Sequence, residues 1–150
     1  MNQNLSKNYN SVFEEYFQDF EIKSDFNKEY ISLWSGWLGK ENYKKLDEVT
    51  ETDWNKFNIL IRNISINYEL HNVDLNKKTI VKIDNIEDTL SNYSDSMNKN
   101  SNEFSLYYIP ELACILSEDW DYTFIIWYNN RNPIEKLKSF IDEAGLYHFA

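Results

Sequence analysis

Residues 111–150 constrain the fold more than any other part of the chain, because each short segment there has a clear local preference. Glu111–Leu116 is mostly apolar and predicts a strand, and Tyr122–Tyr128 is β-branched and aromatic, which predicts a second strand. The acidic segment Ser117–Asp121 between them is long enough only for a turn. We therefore expect the two strands to pair directly as an antiparallel hairpin.

A helix over Ile134–Ala144 should follow the hairpin. Pro133 suits the first helical turn, where its missing N–H is not needed, and Asn132 can cap the helix. Gly145 is expected to close it. Four apolar residues recur at helical spacing and should face the sheet: Ile134, Leu137, Phe140 and Ile141.

Helical spacing also dominates the first half of the chain. A helix near the N-terminus, capped by Ser11, should bury one face made of Val12, Phe13, Tyr16, Phe17 and Phe20. A central helix beginning at Thr52–Asp53 should bury Trp54, Phe57, Leu60, Ile61 and Ile64.

A weaker helical pattern runs between Phe26 and Leu46, through Tyr30, Leu33, Trp34, Trp37 and Leu38. Gly36 and Gly39 interrupt it. The two tryptophans fit either core residues at a helix crossing or an aromatic platform for a ligand.

The second half of the chain predicts a sheet. Thr79–Ile83 alternates as a strand does, and Phe104–Ile109 should be a strand ended by Pro110, which cannot donate to a ladder. Asp84–Asn102 is polar and fits either a helix followed by a loop or a loop alone. The predicted fold is a single α+β domain over residues 1–150, with a helical N-terminal half, a small and mainly antiparallel sheet, and the C-terminal helix packed on the sheet.

The charge of the chain favours basic partners. Its 25 acidic and 15 basic residues give a net charge of -10, which repels nucleic acid and anionic lipid. The same charge would also serve simply to keep the protein in solution. The sequence contains no run of about 18–20 apolar residues, the length that a membrane span needs. Residues 1–25 lack the apolar core of a secretory signal, so we expect a cytoplasmic location.

The sequence offers little for catalysis or metal binding. His71 and His148 lie far apart without a zinc-ligand spacing, and Cys114, within an apolar run, is expected to be a buried structural residue. The acidic turn lacks the central Gly of a calcium loop, and no Gly-rich phosphate loop occurs. We predict no catalytic residue, no cofactor and no metal. A small hydrolase that uses carboxylates in a cleft is the alternative from a different class.

Residues 118–122 join negative charge with aromatic anchors of the kind found in interface cores. The predicted partner-binding residues are therefore Glu118, Asp119, Trp120 and Asp121, with a second acidic region at Asp84, Glu87 and Asp88. The competing interpretation is that Trp120, Tyr122 and Phe124 alternate onto one sheet face and pack into the core while the carboxylates face water.

In general character the chain resembles the immunity proteins of bacterial toxin systems. The likeness rests on two segments, the acidic stretch Ser117–Thr123 and the ending Asp142–Tyr147. Both lie in a small acidic chain with the Asn-, Lys- and Ile-rich composition of an AT-rich genome. It implies a non-enzymatic inhibitor that caps a cognate toxin, often a basic nuclease. Small phage proteins that block host defence nucleases share these features.

Overall fold

A computed structural model describes residues 12–90, 93–96 and 104–150. Two long helices are α1 (Glu51–Asn67) and α2 (Asn132–Glu143). The strands are β1 (Phe17–Gln18), β2 (Glu21–Ile22), β3 (Asn27–Ser32), β4 (His71–Asp74), β5 (Thr79–Lys82), β6 (Leu106–Ile109), β7 (Cys114–Asp119), β8 (Thr123–Tyr128) and β9 (Tyr147–Phe149). Shorter helical segments are residues 12–16, the 3₁₀ segments Lys40–Glu48, Ile86–Asp88 and Pro110–Leu112, and the turn Tyr93–Ser96.

The main sheet has seven strands in the order β5-β4-β6-β7-β8-β3-β9, and β1 and β2 form a separate small hairpin. Every strand pairing in the described residues is antiparallel. The α+β class with an antiparallel sheet is thus confirmed.

The predicted hairpin of neighbouring strands is confirmed as β7 and β8, but its boundaries differ. The first strand begins at Cys114, because Pro110–Leu112 forms a 3₁₀ turn and Ala113 has the left-handed φ of 51°. The ladder continues to the pair Asp119–Thr123. The turn is therefore shorter than predicted and consists of residues 120–122.

Both long helices cover one face of the sheet, which the sequence predicted for α2. Leu60 of α1 and Leu137 of α2 are fully buried in one cluster with Leu116 and Ile126 of the sheet, while Phe140 packs at its border. Thr50 caps α1 through a reciprocal pair of hydrogen bonds with Asp53, which starts the helix just before the predicted residue.

The start of α2 differs from the prediction that Asn132 caps the helix, whereas its end agrees with the prediction. Arg131 occupies the cap position, and the Asn130 side chain accepts a hydrogen bond of 3.0 Å from the Asn132 N–H. Gly145 closes the helix as expected, with a φ of 79° that suits glycine.

The predicted helical N-terminal half is wrong. The helix of residues 12–16 gives way to the β1–β2 hairpin, and Phe20 is 60% exposed at its tip rather than on a buried helical face. Tyr16 and Phe17 do enter a second cluster, on the opposite sheet face, with Ile115 and Tyr108. The predicted cap Ser11 lies outside the described residues.

The helical pattern between Phe26 and Leu46 is also wrong, because residues 27–32 form β3. This strand lies between β8 and β9: it pairs with β8 along its whole length and with β9 from Tyr30 to Ser32. Trp34 and Trp37 do not form one platform: Trp34 packs edge-on against Tyr122, and Trp37 is 63% exposed.

The strands predicted around residues 79–83 and 104–109 are confirmed as β5 and β6, with Pro110 directly after β6. In the polar region 84–102 the described residues form a 3₁₀ turn and one helical turn, and residues 91–92 and 97–102 lie outside the described part. No helix among the described residues is long and apolar enough to cross a membrane.

Candidate functional site

The turn between β7 and β8 presents a tryptophan flanked by two acidic residues, Asp119 and Asp121. Trp120 is 58% exposed, and its ring packs edge-on against Phe104 with 4.7 Å between the ring centroids. Asp119 ends β7, and Asp121 is exposed within the turn. We call residues 118–121 the acidic turn.

The competing interpretation of a single inward face applies only in part. Phe124 is buried in the core and Tyr122 packs against it, whereas Trp120 stays outside. The reason is the turn backbone: Asp121 and Tyr122 have φ values of 60° and 56°, so the two-residue alternation of a strand does not extend back to Trp120.

A cavity of about 220 Å³ lies beside the acidic turn. Six aromatic residues contribute to its lining: Trp54, Phe57, Phe104, Trp120, Tyr122 and Phe124. Four carboxylate residues line it too, namely Asp47, Glu118, Asp119 and Asp121. Such a lining suits a positively charged group that also has flat or apolar surface.

The carboxylates of this cavity differ in their partners. Glu118 accepts a 2.8 Å hydrogen bond from the Ser105 N–H, which orients it. Asp47, Asp119 and Asp121 form no ion pair with any other described residue. Burial, reinforced by neighbouring groups that include Asp47 and Asp121, raises the pKa of Tyr122.

Trp54, one of the residues that line this cavity, has an indole N–H without a hydrogen-bond partner among the described residues. The residue is 7% exposed, and its indole Nε1 is buried. A buried N–H without an acceptor is unfavourable by about 1–3 kcal/mol.

The second predicted acidic region is divided between different surfaces. Glu87 is paired with Arg62, whose Nε lies 2.8 Å from Glu87 Oε2, and this hydrogen bond lowers the pKa of Glu87. Asp88 lines a groove of about 850 Å³ that Glu118 also lines, whereas Asp84 lines a separate cavity. Asp88 therefore shares a groove with Glu118 of the acidic turn, whereas Asp84 and Glu87 do not line that groove.

A buried polar cluster around Glu29 was not anticipated from the sequence. Glu29 is 3% exposed, and its carboxylate accepts a hydrogen bond from the Tyr128 hydroxyl. Arg131 Nη1 lies 2.7 Å from Oε2, and His148 Nε2 lies 2.6 Å from Oε1. Burial alone would raise the pKa of Glu29, but these three partners outweigh it and hold the pKa below its ordinary value.

The Glu29 cluster links distant parts of the chain. It joins β3, the end of β8, the start of α2 and β9. Because the carboxylate is buried and engaged by three protein groups, the cluster is best explained as a structural network. Strand alternation through residues 27–32 was the one local signal that could have placed Glu29 inward.

Neither the cysteine nor the histidines make a recognisable reactive site. Cys114 is fully buried, as predicted, and burial raises the pKa of its thiol to about 12. His71 Nε2 lies 2.7 Å from a Glu69 oxygen. Within residues 12–90, 93–96 and 104–150, no three His, Cys, Asp or Glu side chains form a group that could hold a metal ion.

Comparison with protein-family models, with curated proteins and with solved structures finds no match to this chain.

Proposed function

We propose that the protein is a non-enzymatic binding module that neutralises a basic protein, a bacterial toxin, through the acidic turn. The observation that carries the proposal is the exposed Trp120, which packs against Phe104 and lies between Asp119 and Asp121. Neither carboxylate forms an ion pair with another of the described residues. Tryptophan is favoured as an interface anchor, and carboxylates beside it would pair with Lys or Arg of the partner.

The two kinds of group have separate roles in this proposal. A net charge of -10 would speed the encounter with a basic protein and favour it over acidic ones. Trp120 would hold the complex once it has formed. Packing against Phe104 limits the motion of the indole ring before binding, so less side-chain entropy is lost on association.

The proposal is tested by affinity capture from lysates of cells that carry this gene, with binding kinetics measured on the captured protein. The triple variant Glu118→Gln, Asp119→Asn, Asp121→Asn should associate more slowly and with much less dependence on salt. Trp120→Ala should instead dissociate faster, at a cost of about 2 kcal/mol or more.

A matched control removes the same charge from another surface. Glu135→Gln, Asp142→Asn, Glu143→Gln changes three exposed carboxylates of α2 and its end. If this control slows association as much as the triple variant does, total charge rather than the acidic turn governs binding, and the proposed surface is wrong.

Neutralisation is measured by co-expressing the captured protein with this chain. Relief of its toxicity by the wild type, but not by Trp120→Ala, supports an immunity role. Capture of a defence nuclease whose activity is blocked would instead support the related role of a phage or bacterial nuclease inhibitor. A captured protein that keeps full activity in the complex would contradict both.

A further inference from the structure

We infer that the 220 Å³ cavity beside the acidic turn receives one arginine side chain of the protein partner. This inference rests on the proposed function and names the group that the acidic turn recognises. It concerns residues that the predicted surface did not include, chiefly Trp54, Asp47 and Phe104.

The size of the cavity fits a side chain better than a free small molecule. Sites for drug-sized ligands occupy about 300–1,000 Å³, which is more than the 220 Å³ available here. The aromatic lining comes from three separate parts of the chain. Trp54 packs edge-on to Tyr122, and Phe57 stacks with Phe124 at 5.5 Å between centroids, so the inner wall is fixed by the core.

The chemistry of the lining favours a guanidinium group. Arginine is planar, stacks on aromatic rings, is more weakly hydrated than lysine and donates in a fork that matches carboxylates. Asp119 and Asp121, at the turn, have no cation among the described residues.

The inference is tested with a small probe, so that no partner is needed. N-acetyl-L-arginine methylamide is titrated into ¹⁵N-labelled protein, and the indole N–H signals are followed by NMR, each assigned by a Trp→Phe variant. The signals of Trp54 and Trp120 should shift and saturate. Those of Trp37 and Trp127, which do not line the cavity, should stay in place.

Matched probes and variants separate recognition from general attraction of charge. The citrulline analogue has nearly the same shape without the charge, and we expect it to bind at least about tenfold more weakly, because it cannot form an ion pair with the carboxylates and has a carbonyl oxygen in place of one N–H donor group. Asp119→Asn with Asp121→Asn should weaken arginine binding about five- to tenfold. The control Glu135→Gln with Asp142→Asn should leave it unchanged.

Three results would overturn the inference. They are the absence of saturable shifts, equal shifts with the citrulline probe, and equal shifts of all assigned tryptophan signals. If the probe fails while Trp120→Ala still accelerates dissociation of a captured partner, the proposed function stands and the arginine site is wrong. If the probe binds while capture is independent of the turn variants, the cavity binds guanidinium but the proposed function is wrong.

Discussion

Replacing Glu29 by Gln should destabilise the protein by about 2 kcal/mol near neutral pH. The change keeps the size of the side chain and one carbonyl oxygen, which can still accept from Tyr128. It removes the charge-assisted interaction with His148, and a hydrogen bond to a charged group contributes about 1.5–3 kcal/mol against about 1 kcal/mol for a neutral one. The amide also brings an N–H₂ group into a site lined by donors. We assign no loss to Arg131, because its side chain is 60% exposed and water can solvate it.

The assay is urea unfolding followed by tryptophan fluorescence at a series of pH values. The pKa of Glu29 is lowered in the folded protein, so its stabilising contribution is complete above the pKa of the unfolded chain, about 4.3, and is lost as the pH falls through the folded pKa. The difference between wild type and Glu29→Gln should therefore shrink on acidification. The control Glu135→Gln should change the unfolding free energy by less than about 0.5 kcal/mol. Equal stability of Glu29→Gln and wild type near neutral pH, or a difference that does not vary with pH, would refute the argument.

Three further predictions concern residues away from the acidic turn. Leu60→Ala should lower the unfolding free energy by about 2–5 kcal/mol because Leu60 is fully buried, whereas Ile66→Ala on the exposed side of the same helix should cost under about 1 kcal/mol; chemical denaturation measures both. Thr50→Ala should cost about 1 kcal/mol by the same assay, through loss of the capping box of α1. Cys114 should resist iodoacetamide at neutral pH until the protein unfolds, and rapid modification of the native protein, detected by mass spectrometry, would contradict its buried assignment.

Local sequence patterns were sufficient to predict an element where the segment buries one face against the core. The periodic apolar residues of α1 and the β7–β8 hairpin belong to this class. The predictions for these elements were wrong only in where the elements begin or end. Thr50 and Thr52 are both suitable caps, and only the position of Asp53 three residues after Thr50 decides between them.

The strand β3 illustrates what local patterns cannot supply. Its partners β8 and β9 are about one hundred residues away in the chain. The sequence of residues 27–32 therefore does not show which strands β3 pairs with. The helical spacing of Tyr30, Trp34 and Trp37 was coincidental, since these side chains belong to a strand and the loop after it. Pairing on both edges of β3 outweighed the local preference.

The candidate site shows the same division. The five adjacent residues 118–122 could be selected from the sequence, but whether Trp120 is exposed or buried was left open. The cavity beside the turn could not be predicted from the sequence. Trp54 lies in α1 and Phe104 lies just before β6, so these two lining residues are far apart in the chain. Only the three-dimensional fold brings those rings to the carboxylates.

The left-handed backbone of the acidic turn predicts that stability and binding can be separated there. Asp121 has a φ of 60°, a conformation that costs an L-residue up to about 1–2 kcal/mol, less for Asp, and costs glycine nothing. Asp121→Gly should therefore keep the unfolding free energy or raise it by up to about 1 kcal/mol, while binding of the captured partner weakens. Asp121→Asn is the matched variant, because Asn tolerates the same backbone and lacks only the charge. If Asp121→Gly and Asp121→Asn both unfold more easily than wild type, the carboxylate helps to hold the turn, because glycine alone also gains entropy in the unfolded chain. If it is more stable and both variants bind less well, Asp121 lowers the stability of the free protein and contributes to the complex, as expected of a binding residue.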